Sequence, residues 1–358
     1  MQPKIRIIAE AGVNHNGSEA MAMELIDVAV NAGADIVKFQ TFKAENLASS
    51  SAAKATYQCH ESDVAENQLD MLKRLELDWP MHYRLQKYCD SAGIEFMSTP
   101  FDHESLKFLT EDLKLKRLKI SSGDLTNAPL LLDFSRTGCE LILSTGMATL
   151  AEVERALTVL AWGGENHNGY PSAGDFQRCW SNPVCRDQLR QRLTILHCTS
   201  QYPAPINEIN LQVMSTLAQS FSMPVGYSDH TEGIAIATAA AAMGACIIEK
   251  HFTLDRNLPG PDHKASLEPD ELSAMVLSIR QVEKAIGSSI KTPQISELNT
   301  LKVARKSLVA ACPIAKGELF SENNLSVKRP SSGRSPFDYW SLIGTPAPKD
   351  YIDDEVLL

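Results

Sequence analysis

Along the first three-quarters of the chain two apolar rhythms alternate. A stretch with helical spacing runs up to a glycine, and a short, nearly continuous apolar run follows within a few residues. Gly33 precedes the run 35–40, Gly93 precedes 94–99, Gly138 precedes 140–145 and Gly244 precedes 246–251. Glycine suits the left-handed cap that ends a helix, and a short apolar run fits a parallel strand covered on both faces. Runs at 5–10, 117–122, 193–198 and 224–228 bring the predicted strands to eight. Between them, Ser18 is placed to cap a helix that turns Leu25, Ile26 and Ala29 inward, and Thr149 with Glu152 reads as a capping box ahead of Val153, Ala156, Leu157 and Leu160. Eight strand–helix units within residues 1–287 predict a TIM (β/α)8 barrel. An open doubly wound sheet is the competing fold, but its glycine-rich phosphate fingerprint is missing after the first strand, where Ala11-Gly12-Val13-Asn14-His15-Asn16-Gly17 stands instead.

Two regions break the cadence. Residues 163–187, with Gly163-Gly164, Asn166-His167-Asn168-Gly169, Pro171 and Pro183, read as a polar insertion between the fifth helix and the sixth strand. Residues 288–300 read as a linker, and 301–358 as a small separate unit of short β-prone segments with little material for a core.

Composition narrows the class. With 44% apolar and 22% charged residues in 358, the chain is neither disordered nor collagen-like. Its longest apolar stretch, from Ile234 to Ile248, is alanine-rich and broken by Gly244, so no membrane span is expected. The N-terminus meets Glu10 before any secretory-type apolar core can form, which points to the cytosol. Eight cysteines are scattered; Cys179 and Cys185 lie near each other but in no zinc-site spacing, and reduced thiols are expected. The net charge of 34 − 44 = −10 argues against non-specific nucleic-acid binding. An anionic substrate would therefore need a local basic pocket.

Chemistry on this fold belongs to the carboxyl ends of the strands, and here those ends are polar. They carry Glu10; Lys38 and Gln40; Ser98-Thr99-Pro100-Phe101; Lys119 with Ser121-Ser122-Gly123-Asp124; Ser144-Thr145-Gly146; His197 and Tyr202; Ser228-Asp229-His230; and Glu249-Lys250-His251. Singly, a lysine is usually a paired or snorkelling surface group, a Ser-Thr-Gly a turn, and a histidine a hydrogen-bonded core residue. Jointly, Lys38 and Lys119 with Thr99, Ser122, Ser144 and Ser228 supply two cations and several hydroxyl or backbone donors around one pocket, which suits a phosphate. His230 and His251 end neighbouring strands, and Glu10 closes the ring beside them. Two imidazoles with open positions fit a divalent metal such as Mn²⁺ acting as a Lewis acid, with Mg²⁺ or Co²⁺ also admissible. Two satisfied buried histidines are the plainer reading.

The segments Ala9–Gly17, Val37–Thr41, Ser98–Phe101, Ser144–Met147, His197–Thr199, Tyr202-Pro203, Ser228–Thr231, Glu249–Thr253 and Pro259–Asp262 together resemble the sialic acid (N-acetylneuraminate) synthase family, legionaminic acid synthases included. Lys316-Gly317-Glu318, Asn324-Leu325 and Lys328-Arg329-Pro330 look like its C-terminal antifreeze-protein-like (SAF, β-clip) domain. The resemblance implies condensation of phosphoenolpyruvate with an N-acetylated amino sugar to a nine-carbon 2-keto acid, with release of phosphate. It implies that Lys38, Thr99, Lys119, Ser122, Ser144 and Ser228 hold phosphoenolpyruvate and that His230 and His251 bind the metal. Gln40, Phe101, Tyr202, Glu249 and Asp262 would face the sugar, with Glu249 also in the catalytic set, and Glu10 would act on the attacking water or stand behind the metal. It further implies a domain-swapped homodimer in which Arg329 reaches the acetamido group across the interface. The insertion 163–187 departs from the family pattern, as does Ser200, which stands where some members carry asparagine. The acceptor is read as N-acetylmannosamine or a 2,4-diacetamido-2,4,6-trideoxy sugar, and the Ala-Gly-Val-Asn-His-Asn start and Val37–Lys43 lean to the latter. A non-catalytic carbohydrate-binding protein and a metal-dependent sugar isomerase on the same barrel are the competing classes.

Overall fold

Eight strands form one parallel sheet: β1 Arg6–Gly12, β2 Ile36–Thr41, β3 Glu95–Pro100, β4 Arg117–Ile120, β5 Glu140–Ser144, β6 Leu193–Cys198, β7 Val225–Asp229 and β8 Ile247–His251. The computed structural model describes residues 4–49, 67–165 and 169–358. The strands run in the order β3-β2-β1-β8-β7-β6-β5-β4, and β3 packs beside β4, so the sheet curls round into the expected barrel. Ser18 accepts from the Met21 amide at the start of the helix Glu19–Ala32, which ends at Gly33 with φ 78°. Both halves of the Thr149–Glu152 capping box form.

Alternation along the strands sends every second side chain into the barrel, and the interior is stacked in three levels. At the amino ends Arg6, Glu95, Arg117 and Glu140 form an ionic ring; Arg117 Nη2 donates to Glu140 at 2.8 Å, and the other links join Arg6 to Glu140 and Arg117 to Glu95. Above it Ile8, Ile36, Met97, Ile142, Leu196 and Ile247 make a fully buried apolar layer. Gly226 is required at this level. A Cβ there would lie 2.5 Å from the Ile247 carbonyl oxygen and 2.6 Å from Leu196 Cδ2. The third level, at the carboxyl ends, is polar. The outward residues of the same strands, among them Ile7, Val37, Phe39, Leu141, Ile195 and Ile248, join the helices in the main core.

The stretch 163–187 is not a polar loop. Within it and just beyond lie helices Ala173–Ser181, started by a Ser172–Asp175 capping box, and Pro183–Arg192, capped by Asn182. Cys179, Cys185 and Leu189 are buried, and Phe176 and Trp180 pack on the barrel core, Phe176 edge-on to Trp162 with ring centroids 6.2 Å apart. One apolar face suffices to dock a helix, and here the polar residues around it mask that face. Asn166, His167 and Asn168 lie outside the described residues.

Contacts divide the chain into two units, Met1–Gly287 and Ser288–Leu358. In the second, strands β9 Ser307–Ala310 and β10 Leu325–Lys328 pair antiparallel, and Leu308, Ile314, Phe320, Leu342 and Tyr351 belong to a small core. The stretch read as a linker, 288–300, carries a 3-10 turn at Ile295–Glu297 and the start of a helix, Leu298–Ala304.

Candidate active site

The polar level of the barrel opens into a cavity of about 490 Å³. Glu10, Lys38, Gln40, Thr99, Phe101, Lys119, Ser122, Ser144, Tyr202, Ser228, His230, Glu249, His251 and Asp262 all line it. Arg329 does not belong to this unit; it is exposed, and its Nε donates to the Ala304 carbonyl at 2.9 Å. His197, at the end of β6, turns to the Ile209 carbonyl at 2.6 Å and does not line the cavity.

Four buried charges occupy the floor. Strand register sets Glu10 beside Lys38 and Ser228 beside Glu249. Lys38 pairs closely with Glu10, lies 3.6 Å from Glu249 and donates to Thr99 at 3.0 Å. Lys119 donates to Ser144 at 2.7 Å and stands 3.5 Å from Glu249, which also accepts from Ser228 at 2.8 Å. Burial pushes the Glu10 carboxyl up to about 7 against the pull of Lys38. Burial works the same way on Glu249, but Lys119, Lys38 and the Ser228 hydroxyl overcome it and hold that carboxyl at about 2. Desolvation lowers Lys119, whereas Lys38, equally buried, is raised by Glu10 and Glu249. The carboxylates thus hold both buried ammonium groups in place at the cavity floor.

Above this floor the rings of His230 and His251 stand with centroids 5.5 Å apart, and Tyr202 packs 4.1 Å from His230 and edge-on to His251. His230 Nδ1 lies 2.7 Å from the Thr199 carbonyl. A carbonyl only accepts, so this nitrogen carries the proton, and in the neutral ring Nε2 carries the lone pair. His251 Nδ1 is buried without a hydrogen bond and stands 4.0 Å from Asp262. Burial and the neighbouring His230 and Lys38 keep His251 neutral, and burial raises Asp262 to about 6. Among the described residues no group of three or more His, Cys, Asp or Glu side chains is arranged as a metal cage.

Residues 25–291 match the model of the NeuB family and 305–358 that of the SAF domain. The chain belongs to the NeuB family. It is 49% identical over 354 residues to N,N'-diacetyllegionaminic acid synthase of Campylobacter jejuni, covering 99% of each chain. It is 44% identical over 339 residues to the synthase of the same name from Legionella pneumophila, covering 95% of this chain and 89% of that one. The solved N-acetylneuraminic acid (sialic acid) synthetase of Leptospira borgpetersenii, in complex with citrate, superposes with a TM-score of 0.67 at 32% identity, over 83% of this chain and 90% of that one.

This NeuB-family cavity also has lining residues that the strand-end pattern does not single out: Val13, Leu47, Gln68, Met71, Leu72, Leu75, Met147, Cys198, Ser200 and Pro261. Most come from loops and from the helix Gln68–Leu75, capped by Asn67, whose side chain accepts from Asp70. Val13, Met147, Cys198 and Pro261 fall inside the motif segments quoted above, with Ser200 just beyond one of them, whereas Met71, Leu72 and Leu75 carry only the ordinary helical spacing of apolar residues. Cys198 ends β6 with its Sγ 3.7 Å from His230 Nδ1.

Proposed function

We propose that this chain condenses phosphoenolpyruvate with the open-chain aldehyde of a 2-acetamido sugar, making a nine-carbon 2-keto acid and releasing phosphate. The observation that carries this reading is the meeting, in one cavity, of two buried lysines backed by hydroxyls with two neighbouring imidazoles. The names of the two relatives that span nearly the whole chain support a 2,4-diacetamido-6-deoxy acceptor over N-acetylmannosamine.

In this reading Lys38, Thr99, Lys119, Ser122, Ser144 and Ser228 hold the phosphate and carboxylate of phosphoenolpyruvate. His230 and His251 would hold a divalent ion, taken as Mn²⁺, with water and substrate oxygens completing its shell. The free Nε2 of His230 and the hydrogen-bond-free Nδ1 of His251 suit that task. When bound, the ion supplies Lewis acidity to the aldehyde oxygen. The lysines fix C3 of phosphoenolpyruvate against the aldehyde carbon, and the new C–C bond forms there. Electron demand then appears at C2, and water adds. Glu10, with a carboxyl near neutrality, takes a proton from that water. The new C2 hydroxyl gives up its proton as the C2–O bond breaks, phosphate leaves, and the two protons of the water end on the former aldehyde oxygen and on phosphate. Glu249 keeps both lysines in position and, with Gln40, Phe101, Tyr202 and Asp262, faces the sugar. The active form is read as a domain-swapped homodimer in which Arg329 of the partner subunit serves the acetamido group.

The test is phosphate release from phosphoenolpyruvate in the presence of Mn²⁺ and either sugar. Release that needs all three components is the expected result. No release with either sugar would remove the synthase reading, and conversion of sugar without phosphoenolpyruvate would replace it with isomerase chemistry.

A further inference from the structure

The lining of the cavity changes character around the barrel, and its apolar residues concentrate on one side. Lys119 and Ser144 stand at the ends of β4 and β5, and His230 and His251 at β7 and β8. The side over β1–β3 is lined by Val13, Leu47, Met71, Leu72, Leu75 and Phe101. Val13, Met71 and Leu75 are buried with Phe42 in a cluster separate from the main core, and Leu47, Leu72 and Phe101 pack against it while remaining half-buried. Among the described residues, part of this apolar surface is therefore left facing the cavity. Among the described residues lining this side above the floor, Gln40 and Gln68 are the polar ones.

An acceptor with its aldehyde at the imidazoles, above phosphoenolpyruvate on the lysines, has to direct its C4–C6 end toward this remaining side. N-acetylmannosamine would set hydroxyls at C4 and C6 against leucine and methionine. A 2,4-diacetamido-2,4,6-trideoxy sugar would set an acetamido methyl and the C6 methyl there. We infer that the wall formed by Leu47, Met71, Leu72 and Leu75 selects the acceptor, receiving the apolar C4–C6 end of a 2,4-diacetamido-6-deoxy aldehyde and disfavouring a polyhydroxylated one. The inference rests on the synthase reading above. An apolar surface that receives a methyl in place of a hydroxyl discriminates by about ten- to a hundredfold. Leu47 and Leu72 are thus specificity residues remote from the reacting carbons.

The experiment compares kcat/KM for the two sugars in the full-length wild type, Leu72→Gln and Leu47→Gln, with KM for phosphoenolpyruvate and the thermal midpoint as controls. Both positions are half-buried, and Leu72→Ala substitutes if Leu72→Gln does not fold. The wild type should favour the diacetamido sugar by about tenfold or more. Each glutamine variant should narrow that preference several-fold through a higher KM for the diacetamido sugar, while KM for phosphoenolpyruvate stays put. An unchanged preference in the folded variants, or a wild type that favours N-acetylmannosamine, would overturn the wall's role and leave the synthase reading standing. Absence of phosphate release with either sugar would overturn both.

Discussion

The Thr199 carbonyl fixes the tautomer of His230 by accepting its Nδ1 proton at 2.7 Å, so the neutral ring has its lone pair on Nε2. Together with His251 this is a two-imidazole site whose loss should remove chemistry and spare the barrel. His230→Ala and His251→Ala should each abolish turnover, abolish Mn²⁺ binding by titration calorimetry and leave the thermal midpoint near that of the wild type. Full activity of either variant in metal-stripped buffer resupplied with Mn²⁺ would refute the metal assignment.

Lys38→Met and Lys119→Met should each raise KM for phosphoenolpyruvate well above any change in KM for the sugar, since the anion loses a desolvated, charge-assisted contact. The two should differ in stability. Lys38 faces both Glu10 and Glu249, so its removal strands buried carboxylates at a cost of about 3–5 kcal/mol. Urea unfolding of the two variants side by side checks the order, and equal KM effects on both substrates would argue against an anion site.

The two floor carboxylates respond to pH with opposite sign. Glu10 is raised from its ordinary 4.5 to about 7, so its contribution to stability is complete below 4.5 and is lost as pH climbs through 7. Glu249 is held at about 2, so its contribution is complete above 4.5 and is lost as pH falls toward 2. Glu10→Gln should therefore gain stability relative to the wild type between pH 5 and pH 8, while Glu249→Gln should lose stability at pH 7. As the base, Glu10 must be ionised, so kcat/KM should rise with pH through about 7 in the wild type, and the rise should vanish in Glu10→Gln. A pH profile untouched by that substitution would assign the limb to another group.

Gly226→Ala should destabilise the barrel by about 1–3 kcal/mol, because the new methyl meets the Ile247 carbonyl and Leu196 with no room to yield. A lower urea midpoint with an unchanged m-value is the expected readout, and an unchanged midpoint would show that the apolar layer can relax.

If Arg329 completes the site of the partner subunit, Arg329→Ala and His230→Ala chains, each inactive alone, should recover up to roughly a quarter of wild-type activity after random subunit exchange. Heterodimers that form and stay inactive would end the shared-site assignment.

Much of this site can be read without coordinates because the barrel enforces a period of two. Ile8 and Glu10, Ile36 and Lys38, Ile142 and Ser144, and Ile247 and Glu249 are neighbours one step apart on the same face, so an apolar run that ends in a charge marks the change from plug to floor. Leu72 carries no such mark. Its spacing from Met71 and Leu75 is that of any amphipathic helix, and only the cavity distinguishes it from core. Residues 173–192 mislead in the other direction, since glycine, proline and asparagine around Phe176, Cys179 and Trp180 suggest a loop where capped helices dock. Strand β1 also runs past Glu10 to Gly12 through a shift in register with β2, which no local pattern announces.

The apolar layer of Ile8, Ile36, Met97, Ile142, Leu196 and Ile247 makes the chamber a cul-de-sac. With the way through the barrel stopped, traffic among the described residues uses the carboxyl-end mouth, and depth becomes order. Whatever rests on Lys38 and Lys119 has to enter before the sugar takes its place above. The apolar layer beneath the floor thus imposes a sequence on two substrates that never touch it: phosphoenolpyruvate first, acceptor second.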